Sequence, residues 1–368
     1  MAIPSYFNRC RLSLRALAVI LGVIGVVFAW GGYELRHAWR QHHALSTIAP
    51  FGDSVEFVGR FSGDDTSIEF AAFPRSRGFR TLIAEVFRKP RSLFLLDASR
   101  MPASAMDAIG ELSTLRDLNV IDTPPDTVAH LLQQTPHLQR LMLARCALDS
   151  QVTQEMGRLV QLEGLALRGV DNVADDVPAL CQLKRIKRLE LSVCRLTDSD
   201  LEKLLSCLTA LQSLEIDRVP LSGPVMRRIG NLRNLEVLTL HGDVPTDGLR
   251  LLHGLTALRT LSIVTAERLT IESAHLPPGI RQLTLLGHPV SANTLSTLAT
   301  FDEIRSLKID AAMLSERNLK ILAQLPNLRK LDLWDDELSD EAFNQLGSEL
   351  PNCQIGRNWS LSGVQLKN

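Results

Sequence analysis

Hydrophobic positions recur along this chain in one local frame. Ile186–Leu196 (IKRLELSVCRL) and Leu138–Leu148 (LQRLMLARCAL) both read hydrophobic-x-x-Leu-x-Leu-x-x-Cys-x-Leu. The second hydrophobic position of the frame falls at Leu93, Leu118, Leu141, Leu165, Leu189, Leu214, Leu238, Leu261, Leu283, Leu307 and Leu331, at steps of 22 to 25 residues. One such match is cheap in a leucine-rich chain. Eleven in register mark a repeat array.

Within a copy, the Leu-x-Leu pair alternates with a period of two, which predicts a short strand with one buried and one open face. Leu189 and Leu191 point inward and Glu190 outward. The second half of the copy predicts a helix: Ser199 and Glu202 have capping-box spacing, and Leu201, Leu204, Leu205 and Leu208 form a helical stripe. Pro136, Pro326 and Pro351 each stand two residues before the next Leu or Cys position of the frame, where a helix must already have ended. A single copy cannot bury both its strand face and its helical stripe, whereas stacked copies can. Eleven strands at about 4.8 Å each line a sheet on the order of 50 Å long. The ninth position of the frame (Ala98, Thr123, Cys146, Val170, Cys194, Val219, Asp243, Ala266, His288, Ala312, Asp336) is read as a structural column, where small or hydrogen-bonding side chains fit a tight inward turn.

The N-terminal part follows different rules. Residues 1–15 carry Arg9, Arg11 and Arg15 and no acid, and Ala16–Tyr33 runs 18 residues without a charge. At about 1.5 Å per residue that run just spans a bilayer core. Trp30, Tyr33 and Trp39 stand where an interfacial aromatic belt would lie. A cleaved secretory signal is the main alternative, but the far end (VFAWGG) lacks an A-x-A site. A buried core helix is the third, and the basic leading flank argues against it. The basic bias puts the N-terminus in the cytoplasm and the repeats outside, on the periplasmic side. The chain then divides into a basic segment (1–15), a transmembrane helix (16–33), a juxtamembrane helix (34–48), an N-terminal cap (49–90), a solenoid of about 11 repeats (91–355) and a polar tail (356–368). In the cap, the alternation over Phe51–Phe73 predicts a hairpin turning at Gly63-Asp64-Asp65, and Arg80–Lys89 predicts a helix.

The repeats resemble the leucine-rich-repeat superfamily, nearest its 24-residue, helix-bearing bacterial type. The whole layout, from the Arg-rich start RCRLSLRALAVILGVIG onward, is similar to the single-pass, membrane-anchored leucine-rich-repeat proteins of planctomycete-type bacteria. That resemblance implies an α/β solenoid with a curved parallel sheet on its concave face and helices on its convex face. It also implies a protein-binding or scaffolding role. Several copies lack the family's usual Leu-Thr/Ser-Asp turn (Val170-Asp171-Asn172, Val264-Thr265-Ala266), and the copy at Leu283 is short; both departures would loosen or bend the stack.

Composition changes this picture little. Hydrophobic residues make up 45% and charged residues 22% of 368, and the net charge of −1 gives no electrostatic reason to expect nucleic acid. The six cysteines contain no C-x-x-C and no zinc-like Cys/His spacing. Cys146 and Cys194 lie two copies apart, too far to bridge. Cys181 and Cys207 are neighbours in the helical layer but out of register, so no disulfide is expected, and cysteine leaves the compartment open. His42-His43 reads as a solvated pair, because adjacent helical residues face different ways. Asp175-Asp176 and Asp335-Asp336 read as solvated loop acids. No G-x-S-x-G, G-x-x-x-x-G-K-[ST], H-E-x-x-H or strand-borne G-x-G-x-x-G occurs. The expectation is a non-catalytic protein with no cofactor or metal.

Candidate binding residues are therefore sought on the concave face. Its central open positions include Phe94, Glu190 and Glu215, while His241 and Trp334 stand at strand ends as possible anchors. One column over, Arg259, Arg281, Arg305 and Arg329 supply one guanidinium per repeat, a ladder able to grip carboxylates or phosphates. The leading expectation is a protein partner of unknown identity. An anionic polymer or lipid headgroup bound by the Arg ladder is the alternative. A substrate-recognition arm of a ubiquitin ligase-like complex is a weaker one, because 44–90 is too short and too strand-like for an F-box-like domain.

Overall fold

The computed structural model describes residues 32–33, 36–50, 54–57, 67–69, 90–266, 276–287, 290–310, 321–334 and 339–358. Most of the expected 16–33 span, the 80–89 helix, the 63–65 turn and Asp335-Asp336 lie outside the described residues. Among the described residues no helix is long and apolar enough to cross a membrane.

Fourteen described strands form one sheet: β1 (Ser54–Phe57), β2 (Ser67–Glu69), β3 (Pro90–Leu96), β4 (Asp117–Ile121), β5 (Arg140–Ala144), β6 (Gly164–Arg168), β7 (Arg188–Ser192), β8 (Ser213–Asp217), β9 (Val237–His241), β10 (Thr260–Val264), β11 (Gln282–Leu286), β12 (Ser306–Asp310), β13 (Lys330–Trp334) and β14 (Gln354–Asn358). From β3 to β14 each strand pairs in parallel with its sequence neighbour, while β1 pairs antiparallel with both β2 and β3 at the N-terminal edge. The β1–β2 pair is the hairpin that the alternation predicts. The fold is thus an α/β solenoid of stacked strand–helix units.

The register follows the leucine frame residue by residue. Leu93 lies against Leu118, Leu118 against Leu141, and so on through Leu331, which meets Ile355 in β14. All eleven leucines are 0–3% exposed and belong to one continuous core cluster. Burying each contributes about 1.5–3 kcal/mol, so the spine dominates the stability. The closing strand runs on to Asn358, which takes the first three residues of the expected polar tail into the sheet.

A second column ends the strands. Asp97, Asp122, Arg145, Gly169, Val193, Arg218, Gly242 and Gly287 all have positive φ. Each stands four residues after its frame leucine. The N–H of Asp97, Asp122, Arg145, Gly169, Val193, Arg218 and Gly242 donates to the last carbonyl of the following strand at 2.7–3.0 Å. A left-handed residue here swings the chain out of the sheet while keeping its amide paired. Val193, a β-branched residue at φ 53°, holds that conformation because its neighbours impose it.

The ninth-position column turns inward as expected for Ala98, Thr123, Cys146, Val170, Cys194 and Val219, all buried. The Cys146 thiol lies 3.3 Å from the Ala144 carbonyl, and the Cys194 thiol lies 3.3 Å from the Leu167 carbonyl. Burial pushes both thiols up from the usual range. The column then slips: Asp243 and Ala266 are exposed, and Val244 and Thr265 are buried instead.

Helices cover one face of the sheet. They include α1 (residues 36–48), α2 (Ala103–Gly110), α3 (Pro125–Gln134), α4 (Ser150–Gly157), α5 (Val173–Leu180), α6 (Asp198–Cys207), α7 (Gly223–Gly230), α8 (Thr246–Leu249), α9 (Ala292–Leu298) and α10 (Asp340–Glu349). A helix is about 10 Å wide and a strand step about 4.8 Å, so the helical layer spreads and the uncovered sheet face becomes the inner one. The stripe Leu201, Leu204, Leu205 and Leu208 is buried as expected, but the cap of α6 is Thr197 with Asp200 rather than Ser199 with Glu202. Asp175 and Asp176 do not lie in a loop. They occupy the first turn of α5, where negative charge complements the helix N-terminus.

The largest departure is covalent. Cys181 and Cys207 form a disulfide with Cα atoms 5.3 Å apart, against the expectation of none. Frame register governs the strands only. α5 has 8 residues and α6 has 10, and the longer helix carries Cys207 alongside Cys181 at the end of its neighbour.

The expected juxtamembrane helix, α1, also seals the stack. Ala38, Gln41, Ala44, Leu45 and Ile48 are buried, and Ala44, Leu45 and Ile48 join the solenoid core. His37 Nε2 lies 2.9 Å from Ser113 Oγ, and Gln41 Nε2 donates to the same hydroxyl at 3.4 Å.

Candidate functional site

The open face of β3–β14 presents one central residue per strand and a second two positions later. Over β3–β5 these columns are largely apolar: Phe94 and Met142 in the first, and Leu96, Ile121 and Ala144 in the second. Leu96 is 47% exposed.

Charge concentrates at the centre. The Arg168 guanidinium on β6 grips the Glu190 carboxylate on β7 with both arms, Nη2 donating to Oε2 at 2.9 Å. Ser192 Oγ donates to Asp217 Oδ2 at 2.6 Å. Asp217 Oδ1 lies 3.9 Å from His241 Nδ1 and 3.5 Å from Arg218 Nε. Glu215 sits between these groups. Burial first, and the neighbouring Glu190 charge second, push its carboxyl above the usual range. The bond from Glu190 holds Arg168 firmly protonated. This patch brings together the predicted Glu190, Glu215 and His241, and it adds Arg168, Ser192 and Asp217. The signal for the three additions lies in the sequence, because they occupy the open position two residues after each central one.

Trp334 and Lys308 form a separate site. Lys308 Nζ sits 4.6 Å from the centroid of the half-buried Trp334 ring, whose buried indole nitrogen has no hydrogen-bond partner among the described residues. The lysine covers the ring, and the ring's face holds the ammonium.

The arginine column is in register but not uniform. Backbone N–H groups of Arg281, Arg305 and Arg329 each donate to the preceding arginine's carbonyl at 2.8 Å. The Arg259 side chain, however, is spent on the carbonyls of Thr256, Leu258 and Gly279 at 3.0–3.3 Å. Arg281 faces Glu303 at 3.5 Å. Arg305 and Arg329 are exposed. The column lies one residue before each strand, and its first two guanidiniums are engaged by groups of the chain itself.

Among the described residues no group of three His, Cys, Asp or Glu side chains could hold a metal ion. No family model and no curated protein matches the chain. Among solved structures it is similar to an internalin from Listeria monocytogenes str. 4b F2365, at 14% identity over 73% of this chain and 86% of that one, with a TM-score of 0.43. It is also similar to a leucine-rich-repeat protein of Leptospira interrogans, at 16% identity over 72% and 89%, with a TM-score of 0.33. The family resemblance therefore rests on this chain's own leucine frame and strand ladder.

Chemically, the centre of the open face can hold a cation and stack or hydrogen-bond through His241, while the Ser192 proton is already given to Asp217.

Proposed function

We propose that the chain is a membrane-tethered, non-catalytic interaction module whose inner sheet face holds a protein partner. The observation that carries this reading is the central patch. Glu190, Glu215 and Asp217 stand on adjacent strands, and Glu215 is held partly out of water beside like charge, a state that a partner's cation would relieve. The apolar strip at Leu96 and Ile121 continues the same face toward its N-terminal end and suits an aliphatic or aromatic anchor.

Tethering is supported by the uncharged Ala16–Tyr33 run and its basic flank. Placement of the repeats outside the cytoplasm is supported by the same charge bias and by the Cys181–Cys207 bridge, since disulfides persist in oxidising compartments. The anionic-ligand reading keeps Arg305 and Arg329 but loses Arg259, which the chain itself uses.

A photo-crosslinking amino acid at Thr239, beside Glu215 in the sheet, tests the reading against the same group at Arg227 on the helical side. Adducts from position 239 alone, lost when Glu215→Lys is added, are expected. Equal adducts from both positions contradict it.

A further inference from the structure

The helix α1 has two faces with different chemistry. One carries Ala38, Gln41, Ala44, Leu45 and Ile48 and is buried against the first copy. The other carries Arg36, Trp39, Arg40 and His43, and Tyr33 precedes the helix in the chain. Tyr33 is 64% and Trp39 66% exposed, and both arginines and His43 are exposed. At about 100° per residue these four helical side chains fall within about a third of the helix circumference, opposite the buried face. Their rings are arranged along it: Trp39 stacks on His43 at 6.4 Å between centroids, and Tyr33 lies 6.2 Å from His37.

Two large exposed aromatics are unusual on a helix that is otherwise well packed, and two arginines flank them. Tyr and Trp favour the bilayer interface, where one end of the ring is apolar and the other wet, and Arg36 and Arg40 can pair with lipid phosphates. The uncharged Ala16–Tyr33 run ends where this face begins. A helix standing upright would lift His43 about 10 Å above Arg36, clear of a headgroup layer only about 5–7 Å deep. A single stripe from Arg36 to His43 instead suits a helix lying along the surface.

We infer that the outer face of α1 rests on the headgroup layer of an anionic bilayer. The one helix then seals the solenoid with its inner face and fixes the solenoid's orientation to the membrane with its outer face. This inference rests on the tethering reading.

The test uses the full chain reconstituted into phosphatidylcholine vesicles containing phosphatidylserine, with brominated lipid as the quencher. Single-tryptophan variants retain Trp39, Trp30 or Trp334, the remaining tryptophans being replaced by phenylalanine. Trp39 is expected to lose the larger part of its emission to bromolipid and Trp334 none. Adding Arg36→Glu and Arg40→Glu weakens docking roughly five-fold for each arginine removed. As a check on folding, Trp39→Phe in the otherwise native chain removes the same quenchable component. Quenching of Trp30 without Trp39 overturns the inference and leaves the tether intact. Quenching of neither overturns both. Trp39 shielded from aqueous iodide yet untouched by bromolipid assigns the face to a second copy of the chain and likewise overturns the inference.

Discussion

Removing the Cys181–Cys207 bridge by Cys181→Ala/Cys207→Ala tests the helical layer where the sequence frame is silent. The bridge closes a loop with a sequence separation of 26. A loop of that length restricts the unfolded chain by about 3.5 kcal/mol at room temperature. Both sulfurs are half-buried, so replacing them with methyl groups forfeits little packing by comparison. Against a typical total stability of about 5–15 kcal/mol, the loss is large. It should also be local, because a stacked unit contacts only its neighbours. Amide exchange is therefore expected to accelerate in β6–β8 and α5–α6, while β3 and β12 hold their protection. Urea titration of parent and double variant measures the difference, and thiol titration of the unfolded, unreduced chain verifies the bond. Of six cysteines two are tied and Cys146, Cys194 and Cys353 are free among the described residues, so at most four thiols react. Six reactive thiols, or a double variant within about 0.5 kcal/mol of its parent, would refute the reasoning.

Three further substitutions probe other parts of the account. At Gly230 an added Cβ would stand 2.1 Å from the Leu251 carbonyl oxygen, so Gly230→Ala sets a helix-propensity gain of at most about 1 kcal/mol against a backbone clash worth about 1–3 kcal/mol; net destabilisation in a thermal melt is expected. Thr197→Ala removes the cap of α6 and should cost about 1 kcal/mol, whereas Ser199→Ala should leave stability nearly unchanged in the same urea titration. Glu215 has a folded pKa raised above its unfolded value. Its contribution is therefore present at low pH and lost as pH rises through the folded pKa. Glu215→Gln should accordingly raise the melting temperature at neutral pH, with the gain closing as pH falls below the ordinary carboxyl range. A variant no more stable than its parent at neutral pH contradicts that sign.

The strands were legible because their constraint is local and periodic. A leucine that misses its register by one residue faces the other side of the sheet, so the spacing alone predicts the ladder from Leu93 to Leu331. The helical arcs carry no such constraint. α5 has 8 residues and α6 has 10, a difference that brings Cys207 beside Cys181, and the cap of α6 falls at Thr197 rather than Ser199. The inward turn also shifts by one residue, from Asp243 to Val244, in the copy that follows Gly242. At the open face, reading central positions found Glu190 and Glu215, and the second open column was read only at His241 and Trp334, which left out Arg168 and Asp217. The arginine column is regular in sequence. Its side chains diverge because Arg259 finds backbone carbonyls within reach and Arg281 finds Glu303, partners that no spacing rule announces.

Everything rests on the strands forming one uninterrupted stack, and distances between spin labels on the open face test this most directly. Labels at Met142 on β5 and Thr239 on β9 are four strand steps apart, and labels at Met142 and Lys308 on β12 are seven. At about 4.8 Å per step the account predicts separations near 19 Å and 34 Å, the longer somewhat shortened by curvature. A Met142–Lys308 distance no longer than Met142–Thr239 would contradict a single solenoid.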